Sequence, residues 1–217
     1  MKKCIILANG KPPKKSVIKY FQDKDYKTII CADGGANSAY KLGLVPDYII
    51  GDLDSAEQPV IKHFGKSSGI IKIDRQNDTD VEKCLKFAIG KKYTSAVLMG
   101  VTGDRLDHSF CNLGIVLKFF GKIQLSIAAE NSYLTAFTGS TELASIPGET
   151  ISLYGFDSKT KITSTGLKYP LKNTALPFGK KESTSNESRS VKVTLKISGG
   201  KIFVIRDFNY MKSNGLF

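Results

Sequence analysis

Thr28-Ile29-Ile30-Cys31-Ala32-Asp33-Gly34-Gly35-Ala36-Asn37 decides how this chain is read. A short strand-like run ends on an aspartate, two glycines follow, and a helix begins. Runs of the same kind recur at residues 4–8, 48–50, 70–73, 96–99 and 123–128. The spacing between them is helical. Val81, Leu85, Ala88 and Ile89 fall at i, i+4, i+7, i+8, and Leu113, Val116, Leu117 and Phe120 at i, i+3, i+4, i+7. Asp78-Thr79-Asp80 offers polar oxygens to cap the first of these helices. Strand and helix in alternation predict a mostly parallel sheet flanked by helices.

After about Asn131 the period changes. Residues 150–156, 161–165, 190–197 and 201–205 alternate or form short β runs, with Val191, Val193, Leu195 and Ile197 apolar at every second place. Ser198-Gly199-Gly200-Lys201, lying between two such runs, is expected to be a hairpin turn. The fold class is therefore α/β: an N-terminal parallel sheet with helices, then an antiparallel β-sandwich, divided into residues 1–128 and 129–217.

Composition limits the function classes. The 217 residues are 41% hydrophobic and 24% charged, an ordinary globular mixture. Mean hydropathy is −0.14, and no apolar run approaches the ~20 residues that cross a bilayer, so no membrane span is expected. The net charge of +12 attracts anions. It is dispersed: residues 1–120 carry 19 basic and 13 acidic side chains and the remainder 13 and 7, so each part holds +6. With no basic arm, nucleic acid is not an expected partner. Cys4, Cys31, Cys84 and Cys111 form no C-x-x-C pair and are read as reduced, buried thiols. The apolar run after Met1-Lys2-Lys3 is too short for a signal peptide, and Asn9-Gly10-Lys11-Pro12-Pro13 breaks it, so a cytoplasmic location is expected.

Ligands of open α/β sheets sit beyond the carboxyl ends of the strands, and here those ends are acidic. Asp33-Gly34-Gly35 suits either a tight turn with an aspartate cap or a phosphate cradle. In Gly51-Asp52-Leu53-Asp54-Ser55, an extended backbone would point Asp52 and Asp54 to one side, where they repel unless a cation such as Mg2+ intervenes. The alternative is two side chains facing water. Asp74-Arg75-Gln76-Asn77-Asp78-Thr79-Asp80 precedes a helix, where acidic residues are also favourable for purely structural reasons. Gly103-Asp104-Arg105-Leu106-Asp107-His108 adds an arginine able to grip phosphate, and a histidine better read as a cap or core residue than as a catalyst. Together the loops suit Mg2+ bound to a polyphosphate. The chain contains no P-loop, kinase glycine loop, G-x-S-x-G elbow or H-E-x-x-H.

Four segments in order, 32–37, 51–55, 76–80 and 103–108, resemble the motifs of the thiamine pyrophosphokinase family. Thr163-Ser164-Thr165-Gly166-Leu167-Lys168-Tyr169 and Ser183-Thr184-Ser185-Asn186-Glu187 resemble its thiamine-side motifs, although composition alone reads the second as a polar loop. The resemblance implies transfer of the pyrophosphoryl group of ATP to the thiamine hydroxyl, giving thiamine diphosphate and AMP, with Mg2+ as cofactor and ATP as co-substrate. It implies an ATP- and Mg-binding catalytic domain at 1–128 and a thiamine-binding, dimerisation domain at 129–217, working as a homodimer with sites at the interface. Matched by position, Asp33, Asp52, Asp54 and Asp80 are metal residues; Asp33, Asp54, Asp80 and Asp107 are catalytic; Gly34, Gly35, Asn37, Gln76, Thr79 and Arg105 face ATP; and Tyr169, Ser183 and Asn186 face thiamine. The family often has Trp at the position of Tyr169; this chain has no Trp, and Tyr keeps a π-face for a cationic aromatic ligand. The alternatives are a Mg-dependent phosphoryl or diphosphoryl transferase acting on another alcohol, and a non-catalytic nucleotide or thiamine-diphosphate sensor.

Overall fold

The computed structural model describes residues 1–103 and 105–217; Asp104 lies outside the described residues. The chain divides into two compact units, Met1–Glu130 and Asn131–Phe217.

The first unit alternates strand and helix: β1 (Lys2–Leu7), α1 (Lys15–Asp23), β2 (Thr28–Ala32), α2 (Gly35–Lys41), β3 (Tyr48–Gly51), α3 (Gln58–Phe64), β4 (Gly69–Lys72), α4 (Asp80–Gly90), β5 (Tyr93–Met99), α5 (Leu106–Lys118) and β6 (Gln124–Ala128). All its strand pairs are parallel, in the spatial order β6-β5-β1-β2-β3-β4. The strands read as unbroken apolar runs because helices exclude water from the sheet; Ile5, Ile6, Ile30, Ile49, Ile50, Leu98 and Met99 are fully buried. The chain winds outward from β1 through β4, then returns to pair β5 on the other side of β1. The β1/β5 border is thus the topological switch point, where a crevice opens beyond the strand ends. Helix α4 starts where the sequence placed it. Thr79 is the cap: its hydroxyl accepts from the Glu82 N–H at 3.3 Å, and the Glu82 carboxylate accepts from the Thr79 N–H at 3.0 Å.

The second unit holds β7 (Ser132–Ala144), β8 (Thr150–Tyr154), β9 (Lys161–Thr165), β10 (Ser183–Glu187), β11 (Lys192–Asp207) and α6 (Phe208–Ser213). All pairings are antiparallel, as expected for this half. The expected hairpin at 198–201 is absent. Those residues lie within β11, as a bulge between Ile197, opposite Gly139, and Ile202, opposite Phe137. The bulge inverts the alternation, so Val193, Leu195 and Ile197 before it and Ile202 and Val204 after it face one core. β9 pairs with the first half of β11 and β8 with the second, both on the edge opposite β7. Gly200 is required there, since a Cβ would meet the Thr160 hydroxyl at 2.1 Å. β7 and β10, unassigned from the sequence, complete the unit.

Candidate active site

A cleft of about 530 Å³ opens at the switch point of the first unit. Its lining comes from the ends of β1 (Ala8, Asn9, Gly10), β2 (Ala32, Asp33, Gly34), β3 (Asp52, Ser55) and β5 (Gly100, Val101), with residues 76–83 and the start of α5. The backbones are pressed together. A Cβ on Gly10 would lie 2.5 Å from the Gly100 carbonyl oxygen, and one on Gly51 would lie 2.6 Å from the Asp33 Cβ.

Asp33, Asp52 and Asp80 converge, each offering a carboxylate oxygen within 4.8 Å of the others. Asp33 is 2% exposed and left-handed, with φ of 42°, a conformation aspartate tolerates better than most residues. Its carboxylate accepts from the Ser55 N–H at 3.1 Å and the Ala56 N–H at 3.2 Å. Burial, reinforced by Asp54 and Asp80, pushes its carboxyl up to about 6 against the pull of the Ser55 N–H. Asp52 goes the other way: the Gln76 side-chain amide, donating at 3.1 Å, is the main influence holding it below the ordinary range. Asp80 opens α4 and accepts from the Lys83 ammonium at 2.8 Å.

Asp54 stands beside this group and outside it. The expected extended segment is broken because Leu53 is left-handed, with φ of 67°, so the two-residue alternation does not hold. Asp54 accepts from the Ser55 hydroxyl at 3.0 Å and borders Asp33, whose proton affinity it raises. Asn37 does not line the cleft. Its amide spans the 51–57 loop, donating to the Ser55 carbonyl at 3.0 Å and accepting from the Glu57 N–H at 2.9 Å. Gly34 and Gln76 line the cleft; Gly35 is fixed behind it, a Cβ there falling 2.0 Å from the Leu7 carbonyl oxygen. Thr79 lines the cleft while its hydroxyl caps α4. Arg105 reaches the cleft rim, gripped by Asp107 through Nε at 3.1 Å and Nη2 at 2.5 Å, and this pair holds the Asp107 carboxyl down to about 2. His108 and Cys111 also line it. Cys111 is exposed, contrary to the expected burial of all four thiols; Cys4, Cys31 and Cys84 are buried, and their burial raises their thiol pKa values.

Three lining residues carry no sequence signal of function. Asn9 and Gly10 read only as a break after an apolar run, and their place is set by β1 lying at the switch point. Lys83 reads as an ordinary helix-surface lysine, yet its side chain is 2% exposed.

In the second unit the three expected thiamine-side residues also meet. Asn186, 2% exposed, accepts from the Tyr169 N–H at 3.1 Å and donates to the Tyr169 carbonyl at 2.8 Å and the Ser183 hydroxyl at 3.1 Å. The segment read as a polar loop is strand β10, with a register irregularity at Ser185, whose φ is 53°. The Tyr169 ring is 63% exposed, with the Lys168 ammonium 5.7 Å from its centre.

Two family profiles match in succession: "Thiamin pyrophosphokinase, catalytic domain" over residues 20–128 and "Thiamin pyrophosphokinase, vitamin B1 binding domain" over residues 140–202. The chain belongs to the thiamin pyrophosphokinase family. Family members similar to it include Thiamin pyrophosphokinase 1 of Caenorhabditis elegans, 28% identical over 84% of this chain and 80% of that one. Thiamine pyrophosphokinase of Bacillus subtilis is 25% identical over 95% and 99%. Among solved structures, the thiamin pyrophosphokinase of Geobacillus thermodenitrificans superposes with a TM-score of 0.79 at 26% identity, covering 95% of this chain and 97% of that one. The Candida albicans enzyme shares the fold at a TM-score of 0.82 and 19% identity, over 95% and 88%.

Proposed function

We propose that this protein is an ATP-dependent diphosphotransferase that converts thiamine to thiamine diphosphate and releases AMP. The observation that carries the reading is the meeting of Asp33, Asp52 and Asp80 at the switch-point cleft, in a chain that matches the family's catalytic and vitamin B1-binding profiles in order. The three carboxylates suit Mg2+, a hard cation that prefers oxygen ligands, and burial, with Asp54 and Asp80 adding to it, raises the proton affinity of Asp33. Asp33, Asp52 and Asp80 would hold it, with Asp54 alongside; when bound, Mg2+ neutralises polyphosphate charge as the phosphorus is attacked.

The residues of the chain do the rest. Gly34, which lines the cleft without a side chain, lets phosphate approach the main chain closely. Arg105, released by Asp107, supplies a forked cation for phosphate oxygens. In the reaction the thiamine hydroxyl oxygen forms a bond to the β-phosphorus, the bond from that phosphorus to the α–β bridging oxygen breaks, and AMP departs with that oxygen. The hydroxyl proton passes to a cleft carboxylate. Tyr169 offers its exposed face to the thiamine rings, with Asn186, itself steadied by Ser183, fixing its backbone. In this reading residues 1–128 form the catalytic domain and 129–217 the thiamine-binding and dimerisation domain, and the active form is a cytoplasmic homodimer with active sites at its interface. Reduced Cys4, Cys31 and Cys84 suit that compartment, and none of the described helices is long and apolar enough to cross a membrane.

The test is incubation with ATP, Mg2+ and thiamine, followed by separation of products. Thiamine diphosphate and AMP in equal amounts are expected. ADP with thiamine monophosphate, or unchanged thiamine, would overturn the reading.

A further inference from the structure

Lysines on a helix normally extend along its surface and keep the ammonium in water. On α4, Lys86 does so, its side chain 48% exposed beside Asp78. Lys83, one turn earlier, does not. A buried ammonium is tolerated only when paired, and its partner is Asp80 at 2.8 Å. Asp52 and Asp33 lie near enough to act on the same ammonium through space. The other carboxylates around the start of α4 have cations of their own: Asp78 pairs with Arg75 and Lys86, and Glu82 with Lys118. The hydrogen-bond donors to Asp33 and Asp52 are neutral, backbone N–H groups for the first and the Gln76 amide for the second, and Asp54 adds a further acid beside Asp33. Asp33, Asp52 and Asp80, with Asp54 beside them, face the single ammonium of Lys83, an excess of negative charge that a divalent ion would reduce.

We infer that Lys83 is a positioning residue for the reaction proposed above: its ammonium is a fixed counter-charge inside the carboxylate cluster that holds Asp80 in place before a divalent cation arrives. The inference rests on the Mg2+ reading of the cleft. It requires that Lys83 and the metal share one task, relieving repulsion among Asp33, Asp52 and Asp80. Losing Lys83 therefore costs most when metal is absent, whereas a lysine that mattered only for its packing would cost the same in both conditions.

The experiment compares melting temperatures of wild type, Lys83→Met and Lys83→Arg, each in chelator and in saturating Mg2+. In chelator, Lys83→Met is expected to melt roughly 5 °C or more below wild type, and Mg2+ is expected to remove at least about half of that deficit. Lys83→Arg keeps the charge and should follow wild type in its response to Mg2+. A Lys83→Met deficit equal in both conditions would overturn the inference. So would a variant that is unfolded even in Mg2+, or a Lys83→Arg protein that responds as Lys83→Met does. A wild type whose melting does not respond to Mg2+ would instead count against the metal reading on which the inference stands.

Discussion

The acidic cleft of the first unit and the Tyr169 surface of the second are built on opposite principles. In the cleft, like charges are forced together: Asp33 is buried and left-handed, Gly51 makes room for it, and its proton is held up to about 6. At Tyr169 nearly everything is already satisfied. Asn186 spends its amide on the Tyr169 backbone, Ser183 and the Glu187 N–H, leaving one exposed ring with the Lys168 ammonium over it. The difference teaches that the first site stores unfavourable electrostatics which a bound cation would relieve, whereas the second presents a prepared surface. Changes in the first should alter turnover and metal response with the fold intact; changes in the second should alter stability or KM.

The largest effects belong to the cluster. Asp52→Asn and Asp80→Asn should each lower kcat on the order of 10²–10³-fold, with far-UV circular dichroism unchanged. Asp54→Asn, beside the cluster, should cost about 10–100-fold. Equal losses for all three would erase the distinction between ligand and neighbour.

The next contrast is with pH. A carboxyl raised from 3.8 to about 6 on folding keeps its proton longer in the native than in the unfolded state. Without metal, the contribution of Asp33 to stability is therefore fully present below pH 3.8 and is lost as pH rises to about 6. Protons compete for the same oxygens, so Mg2+ affinity should climb through that window and level off above it. Calorimetric titrations at several pH values check this, and a flat affinity would refute it. In the second unit, Asn186→Ala strands the Tyr169 backbone groups and should cost about 1–3 kcal/mol by thermal or urea unfolding. The smallest effect is that of Tyr169→Ala: stability within about 0.5 kcal/mol of wild type, and a KM for thiamine raised by roughly 2–5-fold, the worth of an exposed cation–π contact.

The same contrast governs what the sequence made legible. The strands of the first unit were readable because a sheet covered on both faces needs near-continuous apolar runs, and the acidic loops were readable because they fall at strand ends. Asp33, Asp52 and Asp80, which converge in the cleft, lie in those loops. The divergence of Asp54 was not readable, since it depends on the left-handed turn at Leu53. Lys83 was hidden because a buried lysine and a solvated one look alike in a helical stretch. In the second unit, β7 mixes Ser, Thr and Gly among its apolar residues, and β10 is Ser-Thr-Ser-Asn-Glu, held by backbone pairing and Asn186 rather than by an apolar face. The Gly199-Gly200 pair signalled a turn, but its purpose is a bulge that brings β11 against Thr160.

The most direct test of the central claim is capture of Mn2+, standing in for Mg2+, followed by electron paramagnetic resonance on wild type and on Asp33→Asn, Asp52→Asn and Asp80→Asn. The account predicts that wild type removes free Mn2+ from solution and that each variant binds it at least about tenfold more weakly. Undiminished capture by all three variants would contradict it.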